Sequence, residues 1–185
     1  RNLMRITGEM ICDHYQIVRC FDFLNDVRNM RPIAEVVMSR RDVVFEPALS
    51  MSWTKGFDVD HYVDVTAATL DMVAKVMGGT QRDAAANIIL GLKDMAGVCP
   101  PRFMADLVTA LRKRWPNLVL HYHRHYTDGL FVPSVGAAAK AGAHIVDVSL
   151  GAAARSYGQG EVLSTAAYLE DELGLKTMLN KDMIR

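Results

Sequence analysis

The 185 residues are half hydrophobic and carry 21 basic against 21 acidic side chains, for a formal net charge of zero. That balance fits one domain with a sizeable core and excludes wholesale disorder. It also argues against nucleic acid or an anionic membrane surface as partner, and no run of about 18 apolar residues is present to span a bilayer.

The start, Arg1-Asn2-Leu3-Met4-Arg5, has neither signal-peptide character nor an initiator Met. Cys12, Cys20 and Cys99 form no CxxC pair and read as free thiols of a reducing, cytoplasmic compartment. The first strand is expected at Tyr15 to Phe21, running into Asp22-Phe23-Leu24-Asn25-Asp26. A helix from about Met30 to Arg40 follows, then a second strand from Val43 to Met51 that ends at Ser52-Trp53-Thr54. From about Asp58 to Met77, Val63, Ala67, Leu70, Ala74 and Met77 repeat with helical period and mark a core-facing stripe. Gly78-Gly79 closes that helix, and Gly79 to Ala86 reads as a polar loop.

The third strand spans Asn87 to Leu92 and is closed by Lys93-Asp94-Met95-Ala96-Gly97. Pro100-Pro101 opens a helix to about Trp115, with Arg112, Lys113 and Arg114 suited to its last turn. Leu118 to His125 reads as the fourth strand, Phe131 to Ala141 as a helix of small residues, and Ile145 to Leu150 as the fifth strand. A final helix is expected over Glu161 to Leu173. Strand–helix alternation of this kind requires right-handed crossovers and a parallel sheet, with chemistry gathered at the carboxyl ends of the strands. A (β/α)₈ barrel needs eight such units in about 250 residues, so five units form either part of a barrel or an open sheet.

The strongest constellation is His121-Tyr122-His123-Arg124-His125. Strand alternation puts the histidines on one side and Tyr122 and Arg124 on the other; two imidazoles one strand-step apart suit zinc, manganese or a similar divalent ion. The competing reading is an exposed polar strand end. Lys93-Asp94 directly behind a buried strand is the second constellation. A desolvated lysine has a depressed pKa and a nucleophilic amine, for instance toward carbon dioxide, whereas the plain alternative is an Asp cap beside a snorkelling lysine. Asp22 either lines the pocket or holds a turn. Arg155 and Tyr157-Gly158-Gln159-Gly160-Glu161 follow the fifth strand, with Glu161 also placed to cap the next helix. The glycine- and alanine-rich run from Gly136 to Gly142 lacks phosphate-loop spacing and reads as a tightly packed helix.

Together, Phe21-Asp22-Phe23-Leu24-Asn25-Asp26, Ser52-Trp53-Thr54, Lys93-Asp94-Met95-Ala96-Gly97, His123-Arg124-His125 and Val146-Asp147-Val148 resemble the carboxyltransferase domain of the biotin-dependent pyruvate carboxylase, oxaloacetate decarboxylase and transcarboxylase family. The resemblance covers nearly the whole of residues 1–185, from about Tyr15 onward, and matches the last five β/α units of that family's TIM barrel. It implies an α/β fold, a TIM (β/α)₈ barrel truncated to its last five units, as the C-terminal portion of one carboxyltransferase domain. It further implies that Lys93 is carbamylated and ligates a divalent metal with His123 and His125, leaving His121 in a supporting role. Asp22 and Gln159 are the residues expected at the substrate. The implied reaction moves a carboxyl group between biotin, carried on another domain or subunit, and a 2-oxoacid or acyl-CoA, through a metal-stabilised enolate. A homo-oligomer or larger complex goes with it.

The sequence also departs from the family. No first-strand aspartate ligand is present, and Tyr157 stands near the place of the family's proton-shuttling threonine. Two other readings follow: a biotin-independent metal-dependent carbon–carbon lyase or decarboxylase, and a non-catalytic truncated barrel.

Overall fold

The computed structural model describes residues 2–184. Helix α1 (Asn2–Cys12) leads into β1 (Ile17–Asp22), α2 (Val27–Val37), β2 (Val44–Ser50), α3 (Val59–Met77), α4 (Gln81–Asn87) and β3 (Ile89–Asp94). The chain continues through α5 (Pro101–Arg114), β4 (Val119–Arg124), α6 (Phe131–Ala141), β5 (Ile145–Val146) and α7 (Val162–Ala167). Five strands form one sheet in the order β1-β2-β3-β4-β5, every pair parallel. Each strand thus pairs with the next in sequence, the order of a barrel wall and not of a doubly wound open sheet.

Local chemistry sets the boundaries. Asp26 accepts from the Arg28 amide at the start of α2, and Asp58 accepts from the His61 amide at the start of α3. Gly78 ends α3 at φ 74°, in the left-handed region that glycine enters without a Cβ clash. The segment expected to be a loop is α4. Thr80 and Asp83 form a reciprocal capping box, the Thr80 hydroxyl accepting from the Asp83 amide and the Asp83 carboxylate accepting from the Thr80 amide. Thr80→Ala should therefore lower unfolding free energy by about 1 kcal/mol, measured by urea denaturation; no change would mean the cap is idle.

The core lies between one face of the sheet and the helices. Phe45, Leu49, Leu90, Leu92, Leu120 and Tyr122 point outward from the strands and are fully buried against Leu70, Val73, Leu107, Leu111 and Ala138. The opposite, concave face carries the polar residues described below, and at its lower end Ile17, Val44 and Ile145 are exposed. Gly91 sits at the centre of that face. A Cβ there would lie 2.7 Å from Ala48 Cβ and 3.2 Å from Glu46 Oε1, so only glycine leaves the room that Glu46 occupies.

Two further expectations need correction, and one helix lay outside them. β5 stops at Val146 rather than Leu150, because beyond it the Ser149 amide turns to the Gly160 carbonyl and bridges to Glu161. The last helix is broken into α7 and a π-helical turn over Tyr168–Glu172, with Glu161 as its cap. Helix α1 was not expected, because Leu3, Met4, Ile6 and Met10 face outward and blur its period; it packs on α2 through Gly8, against Ile33 and Val36.

Candidate active site

The carboxyl ends of β3, β4 and β5 meet at one patch of the concave face. Lys93 and His123 are register partners across β3 and β4 and project to the same side. His125 lies one residue past the end of β4, its ring centroid 5.1 Å from that of His123. Beneath them runs a charged chain that crosses the sheet. Arg19 of β1 donates from Nε to Glu46 of β2 at 2.8 Å and from Nη1 to Asp147, just past β5, at 3.0 Å. His121 lies between the same two carboxylates, Nδ1 3.0 Å from Glu46 and Nε2 2.8 Å from Asp147. An edge-to-edge contact of this kind requires a strongly curled sheet, the curvature of a barrel wall.

Burial alone would lower the pKa of His121. Its hydrogen bonds to Asp147 and Glu46 outweigh that and push it up to about 9, so the ring is cationic at neutral pH. Burial would raise the Asp147 carboxyl, yet hydrogen bonds from His121, His123 and Arg19 hold it far below the usual range. Lys93, half-buried, is shifted downward by burial and by the Arg19 charge, with Asp147 pulling partly the other way. Its ammonium rests 5.1 Å from the centre of the Phe21 ring.

The motif that closes β3 has a structural reason of its own. The fully buried Asp94 carboxylate accepts from the Val98 and Cys99 amides, each at 3.0 Å, and so folds the loop behind it. Gly97 sits at φ 63°, where a Cβ would lie 2.6 Å from the His125 carbonyl oxygen. Arg124, also fully buried, donates to the carbonyls of Cys99 at 2.7 Å and Gly97 at 3.0 Å and pairs with Asp128. Tyr122 donates to or accepts from Ser134 on the same side. The sheet face thus separates His121 and His123 from Tyr122 and Arg124, as alternation predicts.

A divalent metal was expected on Lys93, His123 and His125, and the fit can be tested on the imidazoles. His123 Nδ1 is 2.7 Å from Asp147 Oδ2, and its Nε2 is buried without a hydrogen-bond partner among the described residues. His125 Nδ1 contacts the backbone oxygen of Tyr157. Both rings therefore have one nitrogen engaged by an oxygen acceptor, an arrangement characteristic of metal-binding histidines. Among the described residues no three His, Cys, Asp or Glu side chains form a metal-holding group. Lys93, the register partner of His123, lies on the same face as these two imidazoles.

The two expected substrate residues are engaged elsewhere in the structure. Asp22 accepts from the Leu24 and Asp26 amides and from Asn29 Nδ2, which is the turn-holding alternative. Gln159 accepts from the Ser149 hydroxyl at 2.8 Å. Tyr157 turns its side chain to solvent, 84% exposed, and offers the site only its backbone oxygen. Arg155 and Ser156, in the same loop, hold positive φ of 69° and 51°. Arg19 and Glu46 went unnoticed in the sequence, and Asp147 was quoted only as part of a motif. The signal was a charge flanked by apolar residues, inside β1 and β2 and just past β5.

Comparison with known proteins decides the ancestry. No family model matches the chain. Pyruvate carboxylase of Schizosaccharomyces pombe is 34% identical over 138 residues, which is 72% of this chain and 10% of that protein. Mitochondrial pyruvate carboxylase of Mus musculus is 36% identical over 141 residues, 72% of this chain and 11% of that protein. The carboxyl transferase domain of Rhizobium etli pyruvate carboxylase with pyruvate superposes with a TM-score of 0.77 at 25% identity, over 95% of this chain and 29% of that one. The chain is a homologue of the pyruvate carboxylase carboxyl transferase domain. Its parallel five-stranded sheet is the part of that domain's barrel it shares, and the match to the complete Rhizobium etli enzyme, at a TM-score of 0.78, covers 17% of that chain. The chain spans about a tenth of the length of the curated relatives it matches. Among the described residues, no helix is long and apolar enough to cross a membrane.

Proposed function

We propose that the chain contributes to biotin-dependent carboxyl transfer on a 2-oxoacid of the pyruvate type. The observation that carries this is the placement of Lys93 beside His123, in register on one face, with the inner nitrogen of each neighbouring imidazole engaged. In this reading Lys93, as its carbamate, and His123 and His125 hold zinc or manganese. Such an ion supplies Lewis-acid polarisation of the oxoacid carbonyl and stabilises the enolate that carboxyl loss or gain creates.

The protein's own groups do the rest. Carbamylation joins the neutral Lys93 amine to carbon dioxide and releases one proton; the burial of Lys93 and the nearby Arg19 charge favour the neutral amine that this needs. Arg19 and the cationic His121 surround the Glu46 and Asp147 carboxylates, leaving the floor of the site close to charge balance. Biotin arrives on another domain or subunit, within a homo-oligomer or larger assembly in the cytoplasm. Asp22 and Gln159 are placed at the substrate in this reading, each already hydrogen-bonded within the chain.

Metal analysis of the purified natural protein, followed by an oxaloacetate decarboxylation assay with and without free biotin, tests this. A stoichiometric divalent metal and a biotin-stimulated rate are expected; no metal and no turnover would overturn the reading. One observation favours the biotin-independent lyase instead, namely the outward-facing Tyr157 where the family carries a threonine hydroxyl. It predicts a metal-dependent rate that free biotin leaves unchanged.

A further inference from the structure

Resting on the metal-site reading above, we propose that Asp147 is the positioning residue for His123, fixing which imidazole nitrogen carries hydrogen and which faces the metal. An ionised carboxylate only accepts, so the 2.7 Å contact between Asp147 Oδ2 and His123 Nδ1 places the hydrogen on Nδ1. The lone pair of the neutral ring then lies on Nε2. That atom is buried and has no hydrogen-bond partner among the described residues, so its lone pair is left for a group outside them.

Asp147 is in turn held from several directions. Its Oδ1 lies 2.8 Å from His121 Nε2, its Oδ2 3.0 Å from Arg19 Nη1, and its amide donates to the Tyr122 carbonyl at 3.1 Å. The carboxylate cannot turn away from His123 without breaking contacts to two other strands. His121 and Arg19 thus act on Asp147, and Asp147 acts on His123. A purely structural role is the competing account, since Arg19 and Asp147 also tie the two edges of the sheet together.

Two measurements separate these accounts. In metal-free protein, long-range nitrogen-15 correlation spectra, with His123 assigned through its loss in His123→Gln, should show the Nδ1–H tautomer; an Nε2–H tautomer would overturn the proposal. The tautomer itself is read on the unaltered chain, the variant serving only for assignment. Metal affinity, measured by chelator competition, should fall about 10–100-fold in Asp147→Ala and be largely restored in Asp147→Asn. Asp147→Asn removes the charge of the edge-to-edge ion pair but keeps an oxygen acceptor for His123 Nδ1. Equal losses in both variants, or none in Asp147→Ala while the wild type binds metal, would overturn the proposal alone. A wild type that binds no metal would instead overturn the site reading beneath it, and the metal-directed role with it.

Discussion

Replacing His123 with alanine should empty the metal site and reduce oxaloacetate turnover on the order of 1000-fold, and Lys93→Ala should do the same. Elemental analysis reads the first effect and the decarboxylation assay the second. Neither change should unfold the chain. Without the His123 ring, Asp147 keeps His121 and Arg19 as partners, and Lys93 is a half-buried side chain over Phe21 with no ion pair to break among those described. An unaltered circular dichroism spectrum alongside metal loss would assign the effect to ligation. Full metal occupancy in either variant would rule out the site.

The largest effect on stability is expected on the other side of the same strand. Arg124→Met should destabilise the protein by about 3–5 kcal/mol, because it leaves the buried Asp94 and the partly buried Asp128 without their cation. It also strips the Gly97 and Cys99 carbonyls of their donor. For a chain of this size that is roughly a 10 °C drop in Tm, readable by calorimetry. Adding Asp128→Asn should recover part of the loss by removing the stranded charge. A drop below about 1 kcal/mol in the single variant would show that water or rearrangement replaces Arg124.

These two effects show what local sequence could and could not convey. Helix α6 was legible to the residue, since Phe131 and the small residues after it have one buried face and Gly142 stops it. The parallel pairing followed from the alternation of apolar runs and helices. Helix α4 was hidden because its alanines carry no amphipathic stripe, although Thr80 and Asp83 stood at capping distance. Lys93 and His123 were visible as charges behind buried strands. The chain of Arg19, Glu46, His121 and Asp147 was not, because it joins residues as far as 128 positions apart. Whether such residues meet depends on how far the sheet curls, which no single segment encodes.

The division of β4 into two faces has a consequence for how this strand tolerates change. Deleting one residue near Val119 would carry Tyr122 and Arg124 to the concave side and thrust His123 among the helices. Codon-length insertions and deletions within β4 should therefore be far more damaging than any single exchange of side chain. Point substitutions at alternate positions, by contrast, address ligand chemistry and scaffold strength separately. An engineer could re-specify the ion at position 123 while leaving the anchorage at position 124 untouched.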